Sequence, residues 1–328
     1  MEQIIENTVL NSGISEIPEG ANANPGTAFI VANTKEVSLK HLKEDCTIPV
    51  FSKDNECTIS HQEFIESIWE TVNALFQGHT VLDPEIRVSH VVKGRIPSAV
   101  GKPVRELQEH EKTIYYERMM FLIEVPSITI NVGGNPLNLA IGGVRAYNLE
   151  NLNSKKSMER FKIFMGFQNM VCLNMCVSTD GYVGDLRVGS THELKERYLD
   201  LAHAYEIQKH LEGMQRLQEY SISQSQFAHL IGRLRLYNHD PEKEKHNCPS
   251  LSLTDGQLGP VVKSMYAGPH AASREEGNIS LWELYNWLTA ANKSSYIDTF
   301  LSRSSNAYDF VQELAISLED EKPFWYLH

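Results

Sequence analysis

Hydrophobic spacing along this 328-residue chain turns from a strand pattern to a helical one near Ser190, and that change constrains the fold more than any other feature. Between residues 85 and 188, β-branched and aromatic residues come in short runs broken by Gly and Pro, the pattern of a sheet. Strands are expected over residues 86–92, 113–125, 127–132, 137–147 and 161–167. The connections between them are short, which favours antiparallel pairing over βαβ crossovers. Gly133-Gly134-Asn135-Pro136 reads as a hairpin connection, because glycine tolerates the positive φ of a tight turn. Gly142-Gly143 inside the next strand implies a bulge or a close backbone approach.

Helical spacing sets in elsewhere. Ser60 and Glu63 form a capping box ahead of Phe64, Ile65, Ile68, Trp69, Val72, Leu75 and Phe76, which share one face before Gly78. Past Ser190, Leu194, Tyr198, Leu201, Tyr205, Leu211, Met214 and Leu217 stripe one long helix. Ser223 with Gln226 caps a second, Ser280 with Glu283 a third, and a last helix over 306–321 is stopped by Pro323. The fold class expected is α+β, with an antiparallel sheet-rich N-terminal half followed by an all-helical C-terminal half. Residues 1–30, rich in Asn, Gly, Glu and Ser, read as a disordered arm. A sheet-rich region with one N-terminal helix then spans 31–190, and a helical region packed on it spans 191–328.

A hydrophobic fraction of 41% allows a sizeable core. No stretch reaches the ~20 apolar residues of a membrane span, and Met1-Glu2-Gln3-Ile4-Ile5-Glu6 is acidic where a signal peptide is basic. Five scattered cysteines, an odd number, point to reduced thiols. A cytoplasmic protein with no membrane partner is expected.

The net charge of −12 counts against a polyanionic partner, but it is unevenly spread. Residues 1–50 carry seven acidic and three basic side chains, and residues 304–328 five and one. The middle is nearly balanced and holds a run, Arg87, Lys93, Arg95, Lys102 and Arg105, without one Asp or Glu between its ends. With Tyr115 and Arg145 these residues are the candidate nucleic-acid contacts, since single strands are held by cations tracking phosphates and aromatic faces stacking bases. Tyr115 and Tyr116 cannot share a strand face, so one of the two belongs to the core. Trp282, Tyr285 and Trp287 suit a protein interface as readily as a core.

Enzymatic signatures are sparse. The chain has no Gly-x-Gly-x-x-Gly, Walker, Gly-x-Ser-x-Gly or His-Glu-x-x-His pattern, so no catalytic residue and no cofactor is assigned. Cys57 with His61 and Cys172 with Cys176 repeat a four-residue spacing and are weak zinc candidates, against the plainer reading of cysteine as a small hydrophobe.

The run from Arg160 to Gly181 alternates aromatic, amide and thiol side chains in an order that core building does not require. Together with segments 45–56, 87–97, 112–119, 142–148 and 281–289, it resembles a family without an assigned reaction, carried on phage, plasmid and conjugative elements of Bacteroidetes. The resemblance covers residues 36–328. Val171-Cys172-Leu173-Asn174 is more distantly similar to a Val-Cys-x-Asn element of phage- and plasmid-borne proteins, with Met175 where those have Gly or Thr. What the resemblance implies is a setting in mobile DNA. The function expected is a non-enzymatic accessory protein binding single-stranded DNA in replication, transfer or recombination. The alternative is a protein-interaction module, such as an inhibitor of a host defence system.

Overall fold

Two glycines close the central hairpin. Gly133 and Gly134 adopt φ of +59° and +77°, the left-handed pair of a two-residue turn, and join β3 (Lys112–Val132) to β4 (Asn135–Ala146). The computed structural model describes residues 28–46, 59–99, 101–149, 158–241, 245, 248–267 and 277–328. Phe29 and Ile30, in the apolar run starting at Ala28, are fully buried. The rest of the expected arm lies outside the described residues.

Around the hairpin runs an antiparallel sheet. Its other strands are β1 (Lys35–Glu36), β2 (Glu85–Arg95), β5 (Glu159–Asn169), β6 (Met175–Cys176) and β7 (Tyr182–Val188). The order is β1-β2-β3-β4-β5-β6, with β7 also on β5. The two runs expected on either side of Pro126 are one strand, with the register shifting between Val125 and Thr129. A proline cannot donate to the ladder, and a bulge is where a strand accommodates one.

Helices cover both faces of the sheet. On one, the capping box at Ser60 starts α2 (His61–Leu75), which follows the short α1 (Leu39–Glu44). Phe64 of α2 packs on Phe121 and Phe161, with ring centroids 5.1 and 4.7 Å apart. On the other face Met120, Leu122 and Phe164 cluster with Ile297, Phe300 and Leu301. Two-sided burial explains why β4 reads as a nearly continuous apolar run rather than an alternation. It also explains Gly142 and Gly143. A Cβ on Gly142 would stand 2.1 Å from the Phe121 carbonyl oxygen, and one on Gly143 2.5 Å from the Phe64 ring.

The C-terminal half holds α3 (Thr191–Ala204), α4 (Ile207–Arg216), α5 (Gln224–His239), α6 (Asp255–Ala267), α7 (Leu281–Asn292) and α8 (Ile297–Glu319). The α+β class stands, but two expectations about this half fail. It is not all helical, because Ser221–Ile222 (β8) pairs with Ile279–Ser280 (β9). The long helix expected over 194–217 is broken at Tyr205, which is extended. There the Glu206 N–H donates to Asp180 at 2.9 Å, and the Tyr205 hydroxyl meets His210 Nδ1 at 2.7 Å, so tertiary partners replace the helical ladder. Helix α6, with Gly256, Gly259 and Pro260, escapes recognition because those residues are poor helix formers. Helix α8 begins nine residues before the expected start. Among the described residues no helix is long and apolar enough to cross a membrane.

Candidate functional site

The basic run starts on β2 and continues into the connection to β3, and its members part company there. Arg87 is drawn to β1, where it donates to the Thr34 hydroxyl at 3.1 Å and lies 3.8 Å from Glu36, only 14% exposed. Lys102 binds Glu111 and holds that carboxyl below the usual carboxylate range. Arg95 donates to the Lys102 carbonyl. Arg105, 86% exposed, stands 3.6 Å from Glu106. Arg95 and Lys102 therefore tie down the connection at 96–111, Arg87 is held against β1, and Arg105 stays at the surface.

Lys93 and Arg95 share a different setting. Arg95 pairs with Lys112 and Lys93 with Ile114 across the β2–β3 ladder. Because side chains alternate along a strand, Lys93, Arg95 and Lys112 project to one face. All three line an open cleft of about 620 Å³, together with His41, Asp45, Gly94, Thr113 and Ile114, and with Val104, Leu107 and Glu109 from the connection. Lys112 lies outside the run noticed in the sequence; only the register reveals it. Arg95 and Lys112 are like charges directly opposite, an arrangement that costs stability unless an anion lies nearby. Glu109 supplies part of that compensation, its carboxyl held low by a hydrogen bond from Lys112.

The aromatic contribution expected from Tyr115 is placed elsewhere. Tyr116 is the fully buried member of the pair. Tyr115 is turned to the face opposite Lys93 and Arg95, where a Cβ on Gly94 would stand 3.9 Å from its ring and where Tyr147 packs edge-on at 6.1 Å. Arg145 is a core residue and not a surface contact. It is 0% exposed, donates to Glu159 Oε2 at 2.9 Å, and lies 4.6 and 4.8 Å from the Tyr147 and Phe161 ring centroids. A guanidinium so enclosed cannot reach a bound strand.

The zinc candidates are dispersed. Cys57 lies outside the described residues. His61 is buried with Nε2 2.8 Å from the Tyr116 carbonyl, and burial, aided by the charge of Arg145, pushes its imidazole down to about 3. Cys176 is buried in β6, and burial raises its thiol. Cys172 sits in a turn pinned to α7, where Asn174 Nδ2 donates to the Asn286 carbonyl at 2.9 Å and Lys293 Nζ to the Cys172 carbonyl. Asn169 and Asn174 of the signature run are thus staples between β5, this turn and α7. Among the described residues no three His, Cys, Asp or Glu side chains are placed to hold a metal. Trp282 and Tyr285 are buried, and Trp287 stacks edge-on against Phe227 at 5.8 Å, so these aromatics pack inward.

One group of reactive side chains was not picked out in the sequence. At the end of α1, Asp45 Oδ2 accepts from His41 Nδ1 at 2.7 Å. His41 Nε2 faces the Tyr116 hydroxyl at 2.9 Å and Cys46 Sγ at 3.8 Å. The signal available was the His41, Asp45, Cys46 spacing, four residues and then one, at a helix terminus.

Fold and site together define an α+β protein built on an antiparallel sheet, with a cationic cleft beside the end of the β2–β3 ladder that the 96–111 connection closes. The chain belongs to the family described as a domain of unknown function, B. theta gene description (DUF3871), which it matches over residues 12–327. That family is described from B. thetaiotaomicron, of the Bacteroidetes. No curated protein and no solved structure matches the chain.

Proposed function

We propose that this protein is an accessory factor of a mobile genetic element that engages single-stranded DNA through the cleft between α1 and the β2–β3 ladder. The observation that carries the reading is the convergence of Lys93, Arg95 and Lys112 on one wall of a 620 Å³ cleft. Three cations on neighbouring rungs match the phosphates of a flexible strand better than those of a stiff duplex, and among the described residues Lys93 has no ion-pair partner. The aromatic half of the interface drops out, because Tyr115 faces the other way. Binding through this wall is therefore phosphate-led and insensitive to base sequence. The mobile-element setting is supported by the resemblance of the signature segments.

Retention of a fluorescent 30-nucleotide strand at increasing salt tests the reading. Three neutralised phosphates give a log–log slope of about −2, a roughly twentyfold weakening between 50 and 200 mM salt. Lys93→Glu with Arg95→Glu should abolish retention. No retention by the unaltered protein at 50 mM salt removes DNA as the partner and leaves the protein-interaction module.

A further inference from the structure

We infer that Cys46, His41 and Asp45 form a thiol-nucleophile site at the edge of the cleft, whose substrate is an ester, thioester or amide bearing a carboxylate or phosphate. The inference goes beyond the DNA reading and does not depend on it.

Three local facts assemble the group. Ser38 caps α1, its hydroxyl accepting from the His41 N–H at 3.1 Å, and Asp45 closes the helix with its own N–H on the His41 carbonyl. His41 and Asp45, four apart, therefore share a helix face. Cys46 then leaves the helix and forms an isolated parallel bridge with Ile114 of β3. That edge of β3 is open to it because the β4 ladder ends at Ala146 opposite Arg118.

The chemistry follows from the tautomer. A carboxylate only accepts, so His41 carries its proton on Nδ1 and keeps its basic lone pair on Nε2, which faces the Tyr116 hydroxyl at 2.9 Å and the thiol at 3.8 Å. A separation of 3.8 Å from Sγ to Nε2 is longer than a formed hydrogen bond, as is common before substrate binds. Burial first, then the charge of Asp45, push the Cys46 thiol up to about 11, with Lys35 acting the other way. The resting group is thus a thiol, and it needs a base at the moment of attack. In the acylation step Sγ bonds to the carbonyl carbon while its proton passes to Nε2. The bond to the leaving group breaks, and that group departs with the proton from the imidazolium. Water then gives a proton to Nε2 and its oxygen to the thioester carbon, the C–S bond breaks, and the thiol recovers its proton. The net change is hydrolysis, with no oxidant or reductant. The Tyr116 hydroxyl donates to Nε2 of the resting neutral ring, must rotate away for the thiol proton to reach that nitrogen, and then accepts from the charged ring. Asp45 is a positioning residue. Lys93, Arg95 and Lys112 line the same cleft as His41 and Asp45 and supply the preference for an anionic substrate.

Alkylation with iodoacetate and with iodoacetamide, followed by peptide mass analysis, tests the site on the full chain. Cys46 should react before the other four thiols. Its iodoacetate-to-iodoacetamide rate ratio should exceed that of free cysteine about tenfold, and Arg95→Gln with Lys112→Gln should return it to the free value. Asp45→Asn, a conservative change at a half-exposed position, should slow Cys46 about tenfold without changing the melting temperature, and His41→Gln should slow it at least as much. With 4-nitrophenyl hemisuccinate the unaltered protein should release one equivalent of nitrophenol in a burst that Cys46→Ser lacks. Alkylation of Cys46 at the rate of an ordinary exposed thiol, unchanged in Asp45→Asn and His41→Gln, overturns the inference. Neither probe involves DNA, so failure of retention and failure of alkylation are separate results.

Discussion

Replacing Arg145 by Met separates a core role from a contact role for the most buried cation among the described residues. The guanidinium is 0% exposed and its partner Glu159 13%, with 2.9 Å between Nη2 and Oε2. Removing it takes the paired cation away from the Glu159 carboxylate, which also accepts from the Ile59 N–H at 3.0 and 3.1 Å from its two oxygens. Breaking a buried pair from one side costs about 3–5 kcal/mol. Lost cation–π contact with Tyr147 and Phe161 adds about 1 kcal/mol or more, and the apolar Met stem offsets a similar amount. About 3–5 kcal/mol is a large share of the 5–15 kcal/mol typical of a folded chain. With a urea slope near 3 kcal/mol/M, the unfolding midpoint followed by tryptophan fluorescence should fall by about 1–1.7 M. Arg145→Met with Glu159→Leu should recover at least half of that, because a buried pair exchanged whole for apolar groups costs little. A single variant with the midpoint of the unaltered protein and weakened DNA retention would refute the assignment of Arg145 to the core.

Three other outcomes follow from the same coordinates. Burial and the charge of Arg145, opposed by the Tyr116 carbonyl, lower His61 to about 3, and burial lowers His210 to about 4, opposed by Asp180. Between pH 6.5 and about 4 the unfolded chain binds protons that the folded chain refuses, so stability is complete above 6.5 and falls with pH. The loss is about 2 kcal/mol per histidine at pH 5; equal urea midpoints at pH 7 and pH 5 would contradict it. Gly142→Ala sets a methyl 2.1 Å from the Phe121 carbonyl oxygen and 3.0 Å from the Phe164 ring, and should cost about 3 kcal/mol, read as a lower melting temperature or insoluble expression. Ser60→Ala removes the acceptor of the Glu63 N–H at 3.1 Å and should cost about 1 kcal/mol in urea unfolding.

The parts of this fold legible in the sequence are those dictated by short-range physics. The Ser60 capping box, the Gly133-Gly134 turn and the Ser223 and Ser280 caps each place a particular backbone state within four residues, and the structure has all of them. Elements that depend on distant partners were not legible. The β8–β9 pair joins residues 57 and 59 positions apart with two residues on each side, too few for a period to register. The break at Tyr205 depends on Asp180, and α6 persists through Pro260 because Leu258, Val261 and Met265 are buried in the core. The candidate site divides along the same line. A charge run can be counted in one dimension, but which cations share a face follows from register. The run therefore yielded Lys93 and Arg95, missed Lys112, and gathered in Arg87 and Lys102, which serve the framework, and Arg105, which is exposed outside the cleft lining.

The same distinction resolves the tension between a molecule of net charge −12 and a cleft proposed to take anions. At physiological ionic strength the potential of an exposed charge decays over about 8 Å, so acidic side chains near the two ends of the sequence govern approach only where they lie close to the cleft in space. Inside the cleft the balance is local: Lys93, Arg95 and Lys112 against Asp45 and Glu109, with Glu109 already engaged by Lys112 and Asp45 by His41. Because Asp45 is held by the imidazole, an anion entering beside His41 meets a hydrogen-bonded carboxylate rather than a free one. The Asp45–His41 bond thereby serves both readings of the cleft. It lessens the repulsion toward a phosphate or carboxylate, and it fixes the tautomer that Cys46 requires.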